Sequence, residues 1–501
     1  MNDNLNQQPA QTTKLGDLPD EEFRRLLHEA ADWIADYRAS LETRRVVPAH
    51  EPGMIMRQLP TSVPDQPESM DDVLRDFDRL IMPGIVHWGH PAFLGYFATT
   101  TTAPGILGEM LASALNVSAM TWQTSPAATE LEAVVLEWIR QMIGLPVEFQ
   151  GFVYDTASVA VLHALAAARE ELGLDVRREG LAGRAQFPAL TLYASDQAHS
   201  SLEKAAITLG LGESNVRRIG TDDLYRMNVN DLRRAIEEDL REGRRPLAVV
   251  ATVGTTSATS VDPVEEISDV CREHDVWLHV DAAYGGALAL LEEKHWVMRG
   301  VERADSVVFN PHKWLFVPLD FSTLYVRRPE SLRRVFSLVP EYLRGDSDRA
   351  GEVVPDYMDY GIQLGRRFRA LKAWFVIRAF GREGLAARIR ESCRLASLVA
   401  GWIESDERFE LLAKVEMGVV CFRARAIQSN ESGARAVPDV NSLNERLLER
   451  INATGMAYLT HTRLREHLAL RIAVGNVLTT ESHLAEVWQL VLTQLAELQS
   501  E

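Results

Sequence analysis

From about residue 151 onward, apolar positions follow two alternating patterns that together predict an α/β domain. Short runs rich in β-branched residues predict five strands, at 190–194, 247–253, 276–280, 306–309 and 323–326. Helical spacing of apolar residues predicts helices between them, over 158–172, 229–242 and 263–274. Short apolar strands that alternate with helices are typical of a mostly parallel sheet flanked by helices.

Before this region, the pattern predicts an N-terminal arm over residues 1–90. Apolar residues recur at helical spacing over 20–43 and again over 71–81, so two amphipathic helices are expected. The proline-rich stretch at 48–67 predicts an extended segment between them. Partly helical arms of this kind often pack on a second subunit.

After the arm, we expect a large α/β domain over residues 91–380 and a small α+β domain over 381–501. The second of these combines strand-like runs with helical patterns and closes with a helix near 480–498. The polar stretch at 340–362 predicts a long exposed loop, and loops of this length often serve as lids.

Composition and charge narrow the range of partners. The 501 residues are 46% apolar and 25% charged, which is typical of globular proteins. A net charge of −18 argues against nucleic acid and anionic membranes as main partners. No apolar run approaches the ~20 residues of a membrane span, and the polar N-terminus lacks a signal core. We therefore expect a soluble cytoplasmic protein.

The cysteines support the same compartment. Cys271, Cys393 and Cys421 lie far apart and form no C-x-x-C pair. This pattern disfavours a disulfide framework or a zinc site and fits a reducing cytosol. No metal site is expected.

The stretch Ser306–Phe316 carries the most distinctive chemistry. A short apolar strand ends at Asn310-Pro311, and Lys313 follows within apolar surroundings. Burial disfavours an ammonium group, so the pKa of this lysine would fall and its amine could form a Schiff base with pyridoxal phosphate. A lone lysine more commonly packs its stem and extends its charge to the surface. The neighbouring strand ends must therefore decide between the two interpretations.

Chemically capable residues follow four predicted strands in succession. His199 comes after the first, Thr256 after the second, Asp281 directly after the third, and Lys313 after the fourth. Open α/β sheets bind ligands beyond the carboxyl ends of their strands. Any one of these residues could be an ordinary turn or core residue, but the ordered set favours a binding site.

The set also suits one cofactor. Pyridoxal phosphate requires a lysine and a carboxylate that faces the pyridine nitrogen, and Asp281 is placed to supply the carboxylate. Backbone N–H groups at a helix start bind phosphate well, and the turn 156–158 opens a predicted helix. A flat side chain should cover the ring, and His199 is the candidate.

Eight segments of the chain resemble group II pyridoxal-phosphate decarboxylases of fold type I, most closely the aromatic-L-amino-acid decarboxylases. In chain order they are H-P-A-F-L-G-Y-F (90–97), S-P-A-A-T-E-L-E (125–132), S-D-Q-A-H-S-S (195–201), T-V-G-T-T (252–256), W-L-H-V-D-A-A-Y-G-G (277–286), N-P-H-K-W-L (310–315), P-E-Y-L (340–343) and L-G-R-R-F-R (364–369). The resemblance as a whole covers about residues 70 to 475, and the eight segments lie between residues 90 and 369.

The resemblance implies a homodimer with its active site at the subunit interface, and decarboxylation of an aromatic L-amino acid to its amine and CO2. It implies Lys313 on the cofactor's aldehyde, Asp281 on the pyridine nitrogen, and His199 and Ala283 on the two sides of the ring. Further cofactor contacts implied in the same way are Ala157, Ser158, Thr256, Asn310, His312 and, from the second subunit, Leu364 and Gly365.

The resemblance also assigns residues to the substrate. Tyr342 matches a loop tyrosine that returns a proton to the substrate carbon after CO2 leaves. Related aldehyde synthases carry phenylalanine there, so tyrosine favours simple decarboxylation. The implied substrate contacts are Trp88, Tyr96, Phe97, Thr99, Met120 and Leu319.

Several positions depart from the family pattern. Ala98 replaces the usual proline, and Met120 and Leu319 stand where the animal enzyme has aromatic residues. Asp155 in the phosphate turn would be unfavourable unless its carboxylate points away. These differences predict a wider or more flexible pocket, which leaves decarboxylation of a non-aromatic amino acid open. Two further alternatives are oxygen-dependent aldehyde synthesis and a catalytically silent cofactor-binding dimer.

Overall fold

The computed structural model describes residues 16–97, 101–184, 186–338, 355–425 and 439–500. It divides into two compact units. The first contains the chain up to Arg44 together with Pro48–Val86, and the second contains Arg45–Val47 together with His87–Glu501. Every described residue that was predicted for the site belongs to the second unit. The expected domain limits at residues 90 and 380 stay a prediction.

The first unit contains helices α1 (Asp20–Ala39), α2 (Met54–Gln58) and α3 (Met70–Asp76). Ser69 caps α3 by accepting a hydrogen bond from a backbone N–H of the first turn. The prediction of a wholly extended segment at 48–67 was wrong, because α2 lies within it. The short apolar run Met-Ile-Met begins this helix directly after Gly53, whose φ of 83° lies in the left-handed region.

A seven-stranded sheet forms the centre of the second unit. Its strands are β1 (Gln150–Tyr154), β2 (Leu190–Ser195), β3 (Val216–Ile219), β4 (Arg245–Thr252), β5 (Trp277–Asp281), β6 (Ser306–Phe309) and β7 (Ser322–Val326). Their order across the sheet is β1-β7-β6-β5-β4-β2-β3.

The strands from β6 to β3 are parallel to their neighbours, whereas β7 runs antiparallel to both β6 and β1. Parallel neighbours need a long crossover connection, but only the short helix α11 (Pro311–Trp314) lies between β6 and β7. The expectation of a mostly parallel α/β sheet is confirmed.

Further helices of the unit lie before, between and directly after these strands in the chain. They are α4 (Ala103–Leu115), α5 (Pro126–Met142), α6 (Ala157–Glu171), α7 (Val176–Glu179), α8 (Ser201–Thr208), α9 (Val229–Arg241), α10 (Val264–Glu273) and α12 (Pro329–Phe336). The buried face of α6 is rich in alanine, including Ala160, Ala164 and Ala167. Small side chains of this kind let the helix approach the sheet closely.

The C-terminal part begins with the long helix α13 (Ala370–Glu404), which is kinked at Gly381, where φ is 63°. A four-stranded antiparallel sheet follows, in the order β10-β11-β9-β8. Its strands and helices are β8 (Phe409–Leu411), β9 (Val419–Ala424), α14 (Val440–Ala453), β10 (Thr460–Leu464), β11 (His467–Ala473) and α15 (Glu481–Ser500). In the described residues, no helix has both the length and the apolar character needed to cross a membrane.

Candidate active site

The ends of three neighbouring parallel strands bring the predicted residues to one edge of the sheet. The register pairs Thr252, the last residue of β4, with Asp281, the last residue of β5, and pairs Asp281 with Val308 of β6. A cavity of ≈ 590 Å³ lies at this edge. Its lining includes seven predicted residues, namely Trp88, Tyr96, Phe97, His199, Thr256, Lys313 and Leu319.

Lys313 projects from the short helix α11 into this cavity. Its Nζ lies 4.8 Å from the centre of the Phe97 ring. Burial lowers the pKa of this amine, the nearby charge of Asp281 opposes the shift, and the positive charge of Arg471 adds to it. A lower pKa increases the fraction of neutral amine, which is the nucleophilic form.

Three stacked aromatic rings pack next to Lys313. Phe97 stacks on Tyr284 with 4.0 Å between ring centres, and Tyr284 stacks on Trp314 with 4.3 Å. Trp314 directly follows Lys313 in α11, so the stack connects the lysine's helix to the ring beside its Nζ. Tyr284 and Trp314 are almost completely buried, and such packing fixes side-chain positions closely.

Asp281 ends β5, and His199, which follows β2, lies close enough for the charge of Asp281 to influence it. The buried Asp281 accepts a hydrogen bond at Oδ1 from the backbone N–H of Ala283, at 3.0 Å. His199 Nδ1 accepts the backbone N–H of Ser201 at 3.1 Å, so the neutral ring carries its proton on Nε2. Partial burial in the cavity wall lowers the pKa of His199, although Asp281 opposes this shift.

Asn310 and His312 present hydrogen-bond donors to the same region. Asn310 Oδ1 accepts from Ser322 Oγ at 2.6 Å, which leaves its amide NH₂ as a donor. His312 Nδ1 accepts the backbone N–H of Phe321 at 2.9 Å, so Nε2 carries the proton. Burial lowers the pKa of His312 to about 3, so the ring is neutral at pH 7.

The pairing of β1 with β7 brings the start of α6 close to Asn310 and His312. Ser322, which bonds Asn310, pairs with Tyr154 at the end of β1, and α6 begins at Ala157. The first turn of a helix presents free N–H groups, and the cap residue Thr156 makes no side-chain bond to them. These donors, with the Ser158 hydroxyl, fit a phosphate group well.

Asp155 does not conflict with this role. Both of its carboxylate oxygens accept from the Gln363 side-chain amide, at 2.7 and 2.8 Å. The negative charge is therefore engaged by a neighbouring segment of the same chain. Gln363 directly precedes Leu364 and Gly365, which are both exposed.

Arg471 is the most important residue that the sequence reasoning missed. Its guanidinium carbon lies 4.8 Å from the centre of the Phe97 ring, near which Lys313 also lies. Its Nε donates to the Ser257 carbonyl and Nη1 to the Tyr96 carbonyl, but the buried Nη2 has no partner among the described residues. A buried guanidinium beside a second cation is expected to bind an anion.

Thr460 strengthens this assignment. It is the cross-strand partner of Arg471 in the β10–β11 pair, and it also lines the cavity. Its buried Oγ1 likewise has no hydrogen-bond partner in the described part of the chain. One signal in the sequence pointed to this site, because a single arginine interrupts the apolar run L-A-L-R-I-A-V.

Aromatic side chains form the mouth of the cavity. Trp88 stacks on Tyr96 with 5.4 Å between ring centres, and the hydroxyls of Tyr96 and Tyr458 are 3.2 Å apart. Tyr96 has a φ of 53°, a conformation that non-glycine residues rarely adopt and that is frequent at functional sites. Tyr458 was not predicted, because it lies outside every segment that carries the family resemblance.

The remaining predicted residues fall into two groups. Met120, Leu364 and Gly365 do not line the cavity of this single chain. Thr99 and Tyr342, together with Ala98 and most of the predicted loop, lie outside the described residues.

Comparison with known proteins gives a consistent result. Residues 52–425 match the family model described as the pyridoxal-dependent decarboxylase conserved domain. Aromatic-L-amino-acid decarboxylase of Rattus norvegicus is 39% identical over 94% of this chain and 97% of its own length. Phenylacetaldehyde synthase of a Rosa hybrid cultivar is 40% identical, covering 95% of this chain and 94% of its own.

A solved structure shows the same architecture. Oryza sativa TDC, crystallised with PLP and tryptamine, superposes with a TM-score of 0.90 at 37% identity. The match covers 96% of this chain and 99% of that chain. The similarity therefore extends over both sheets and the cavity between the strand ends and β10–β11.

Proposed function

This chain belongs to the pyridoxal-dependent decarboxylase family, and from that membership we propose that it removes the α-carboxylate of an aromatic L-amino acid as CO2 and releases the amine. The observation that carries the proposal is the cavity that combines Lys313 and Arg471 with an aromatic mouth. Asp281, at the end of β5, is close enough for its charge to influence Lys313. The relatives named for aromatic substrates support the choice of substrate class.

The donor set described above fits pyridoxal phosphate. Bound there, the cofactor supplies a pyridine ring that accepts the electron pair released when the bond from Cα to the carboxylate breaks. Lys313 would supply the amine that holds the aldehyde carbon of the cofactor. Asp281 keeps a proton on the pyridine nitrogen, and His199 covers the ring.

Ala157, Ser158, Asn310 and His312 hold the phosphate, with Thr256 and Ala283 next to the ring. Arg471 Nη2 and Thr460 Oγ1 orient the substrate carboxylate, since neither donor has a partner within the described part of the chain. Tyr342 returns the proton to Cα, as the family resemblance implies. The substrate side chain extends toward the mouth residues Trp88 and Tyr96.

The test is a substrate panel with purified, cofactor-loaded protein. Tryptophan, tyrosine, phenylalanine and their hydroxylated forms should release CO2 and amine in equal amounts, without peroxide. Glutamate, leucine and histidine serve as the acidic, aliphatic and heterocyclic comparisons. Faster turnover of any of these three than of every aromatic substrate would contradict the proposed substrate class.

Replacement of Arg471 by methionine should lower kcat/KM about 10- to 100-fold. Loss of a charge-assisted hydrogen bond to a buried group costs roughly 1.5–3 kcal/mol, and the affected group is the substrate carboxylate. Steady-state kinetics with the best aromatic substrate measure the change. Arg463→Met is the matched control, because Arg463 is an exposed arginine of β10 in the same sheet. Equal kinetics for the two variants would remove Arg471 from the substrate site.

Oxygen-dependent aldehyde synthesis is a second candidate, because the Rosa relative is named a phenylacetaldehyde synthase. That reaction consumes O2 and water and yields aldehyde, CO2, ammonia and hydrogen peroxide. Tyr342 favours the simple decarboxylation. Tyr342→Phe should therefore shift the products from amine toward aldehyde and peroxide. An assay that measures CO2, amine, aldehyde and peroxide together would detect this shift. Peroxide release by the unmodified protein would favour the second candidate.

We also propose a cytoplasmic homodimer. Leu107, Leu111 and Leu115 recur every four residues on α4, and each is at least half exposed in the single chain. Ile362 and Leu364 are further exposed apolar residues of this unit. Exposed apolar patches of this kind commonly mark subunit interfaces. The three cysteines are free thiols, which suits a reducing compartment.

Sedimentation should give the wild-type protein twice the 56.1 kDa mass of one chain. Leu107→Glu with Leu111→Glu should yield a monomer at micromolar concentration, because two charges would be buried in the interface. Leu240→Glu is the control, since this leucine is similarly exposed on α9. A dimer that survives the paired substitution would place the interface elsewhere.

A further inference from the structure

A column of polar side chains crosses one face of the central sheet and ends at Asp281. Side chains alternate along a strand, so Trp277, His279 and Asp281 of β5 point to the same face. The register places Ser306 of β6 beside His279, on that face as well. These side chains are buried, so the column reaches the carboxylate from the interior of the protein.

Hydrogen bonds within the column fix the tautomer of His279. Trp277 Nε1 donates to Ser306 Oγ at 2.9 Å, and Ser306 Oγ lies 2.8 Å from His279 Nδ1. The indole can only donate, so the serine hydroxyl accepts from it. Ser306 Oγ has no further partner among the described residues, so its own hydrogen goes to Nδ1. His279 therefore carries its proton on Nε2. Burial lowers the pKa of this ring to about 4, so it is a neutral donor at pH 7.

Two polar atoms near the end of this column have no partner among the described residues. They are His279 Nε2 and Thr252 Oγ1, and both side chains are buried. His279 precedes Asp281 by two residues on β5, and Thr252 is the cross-strand partner of Asp281 on β4. A buried donor without a partner is destabilising, and Asp281 is the carboxylate nearest in the register to both.

We propose that His279 and Thr252 are positioning residues that orient the Asp281 carboxylate toward the cofactor's pyridine nitrogen. The Ala283 N–H occupies Oδ1 from the loop side, and the two unused donors act from β5 and β4. Hydrogen bonds from these two donors, formed when the cofactor is bound, would add to the Ala283 N–H and restrain the carboxylate from three directions. This inference rests on the role given to Asp281 in the proposed function.

The test is a double-mutant cycle read by cofactor affinity. Apoprotein is titrated with pyridoxal phosphate, and the Kd is taken from protein fluorescence and from the absorbance of the bound cofactor. His279→Phe should weaken binding about tenfold, which corresponds to ~1.4 kcal/mol. In the Asp281→Asn background the same substitution should change the Kd less than twofold, because the group that it positions has already been altered.

Two further variants separate positioning from packing. His279→Gln keeps an N–H donor and should stay within about threefold of the wild-type Kd. Thr252→Val keeps the side-chain shape, removes the hydroxyl, and tests the proposal even where His279→Phe does not fold. Tyr193→Phe is the control, because it removes a buried hydroxyl of β2 that bonds Asp239. It should lower stability and leave the Kd unchanged.

An equal loss of affinity in both backgrounds, or unchanged binding by His279→Phe and Thr252→Val, would overturn the inference. Failure of the proposed function is visible separately. If the wild-type protein binds pyridoxal phosphate and Asp281→Asn weakens that binding, yet no amino acid is decarboxylated, the substrate assignment fails and the positioning result stands.

Discussion

Lys313→Ala should lower the rate of CO2 release by at least about 10³-fold, the scale on which loss of a covalent nucleophile reduces turnover. The lysine projects into the cavity beside Phe97 and Arg471, and its lowered pKa makes it the nucleophilic amine of the lining. Alanine removes that amine and leaves the backbone of α11 compatible with its helical conformation. The visible absorbance of the lysine-bound cofactor should disappear with the activity.

Two controls define this result. Lys313→Arg keeps a positive charge but supplies no nucleophilic amine at neutral pH, so it should be as inactive as the alanine variant. Lys414→Ala changes an exposed lysine and should retain full activity. Borohydride reduction of the wild-type holoprotein should then fix the cofactor on the peptide that contains Lys313. Retention of both the absorbance and CO2 release by Lys313→Ala would reject its role.

The residues at the strand ends could be predicted because their local signals are strong. Asp281 and Lys313 each follow a short apolar strand, and parallel strands bring their carboxyl ends to one edge. Alternation of apolar runs was therefore enough to place both side chains near each other. The same signal was too weak for β3, whose sequence V-R-R-I contains two arginines, and this strand was not predicted.

Arg471 could not be placed in the same way. It lies on β11 of the second sheet, about 160 residues after Lys313 in the sequence, and no periodicity relates two sheets. The contact of both cations with Phe97 arises from tertiary packing alone. Asp155 also shows the effect of tertiary packing. From the local sequence its carboxylate was expected to disfavour a bound phosphate, but in the fold the Gln363 amide donates to it.

The two cations around Phe97 also explain why the cavity suits an amino-acid substrate. Their mutual repulsion lowers the pKa of Lys313, which favours the neutral amine before the substrate arrives. A substrate carboxylate that binds Arg471 would offset this repulsion. Binding of the substrate carboxylate therefore changes the electrostatic environment of Lys313. An amine without a carboxylate, such as the product, is not attracted to Arg471 in this way.

Removal of one partner from the buried ion pair of Glu132 and Arg366 is expected to destabilise the fold strongly. Their side chains meet at 2.5 Å and are almost completely inaccessible to solvent. Arg366 also donates to the carbonyls of Ala119 and Val153, both at 3.0 Å. Val153 precedes the last residue of β1, so this network supports the strand that leads into the phosphate turn.

Glu132→Ala should lower the free energy of unfolding by about 3–5 kcal/mol, because it leaves the guanidinium of Arg366 buried without its counter-ion. Urea unfolding of the apoprotein, monitored by fluorescence and circular dichroism, measures the change. Glu132→Leu combined with Arg366→Met should recover much of the loss, because it removes both charges together and keeps the volume apolar.

The exposed pair of Arg390 and Glu293 supplies the matched comparison. Its atoms lie 2.7 Å apart, nearly as close as the buried pair, but both side chains are about half exposed. Solvent screens such pairs, so Glu293→Ala should cost at most about 1 kcal/mol. Equal shifts of the unfolding midpoint in Glu132→Ala and Glu293→Ala would show that burial does not make an ion pair more costly to break. The network of Glu132 and Arg366 would then have no special part in the stability of the fold.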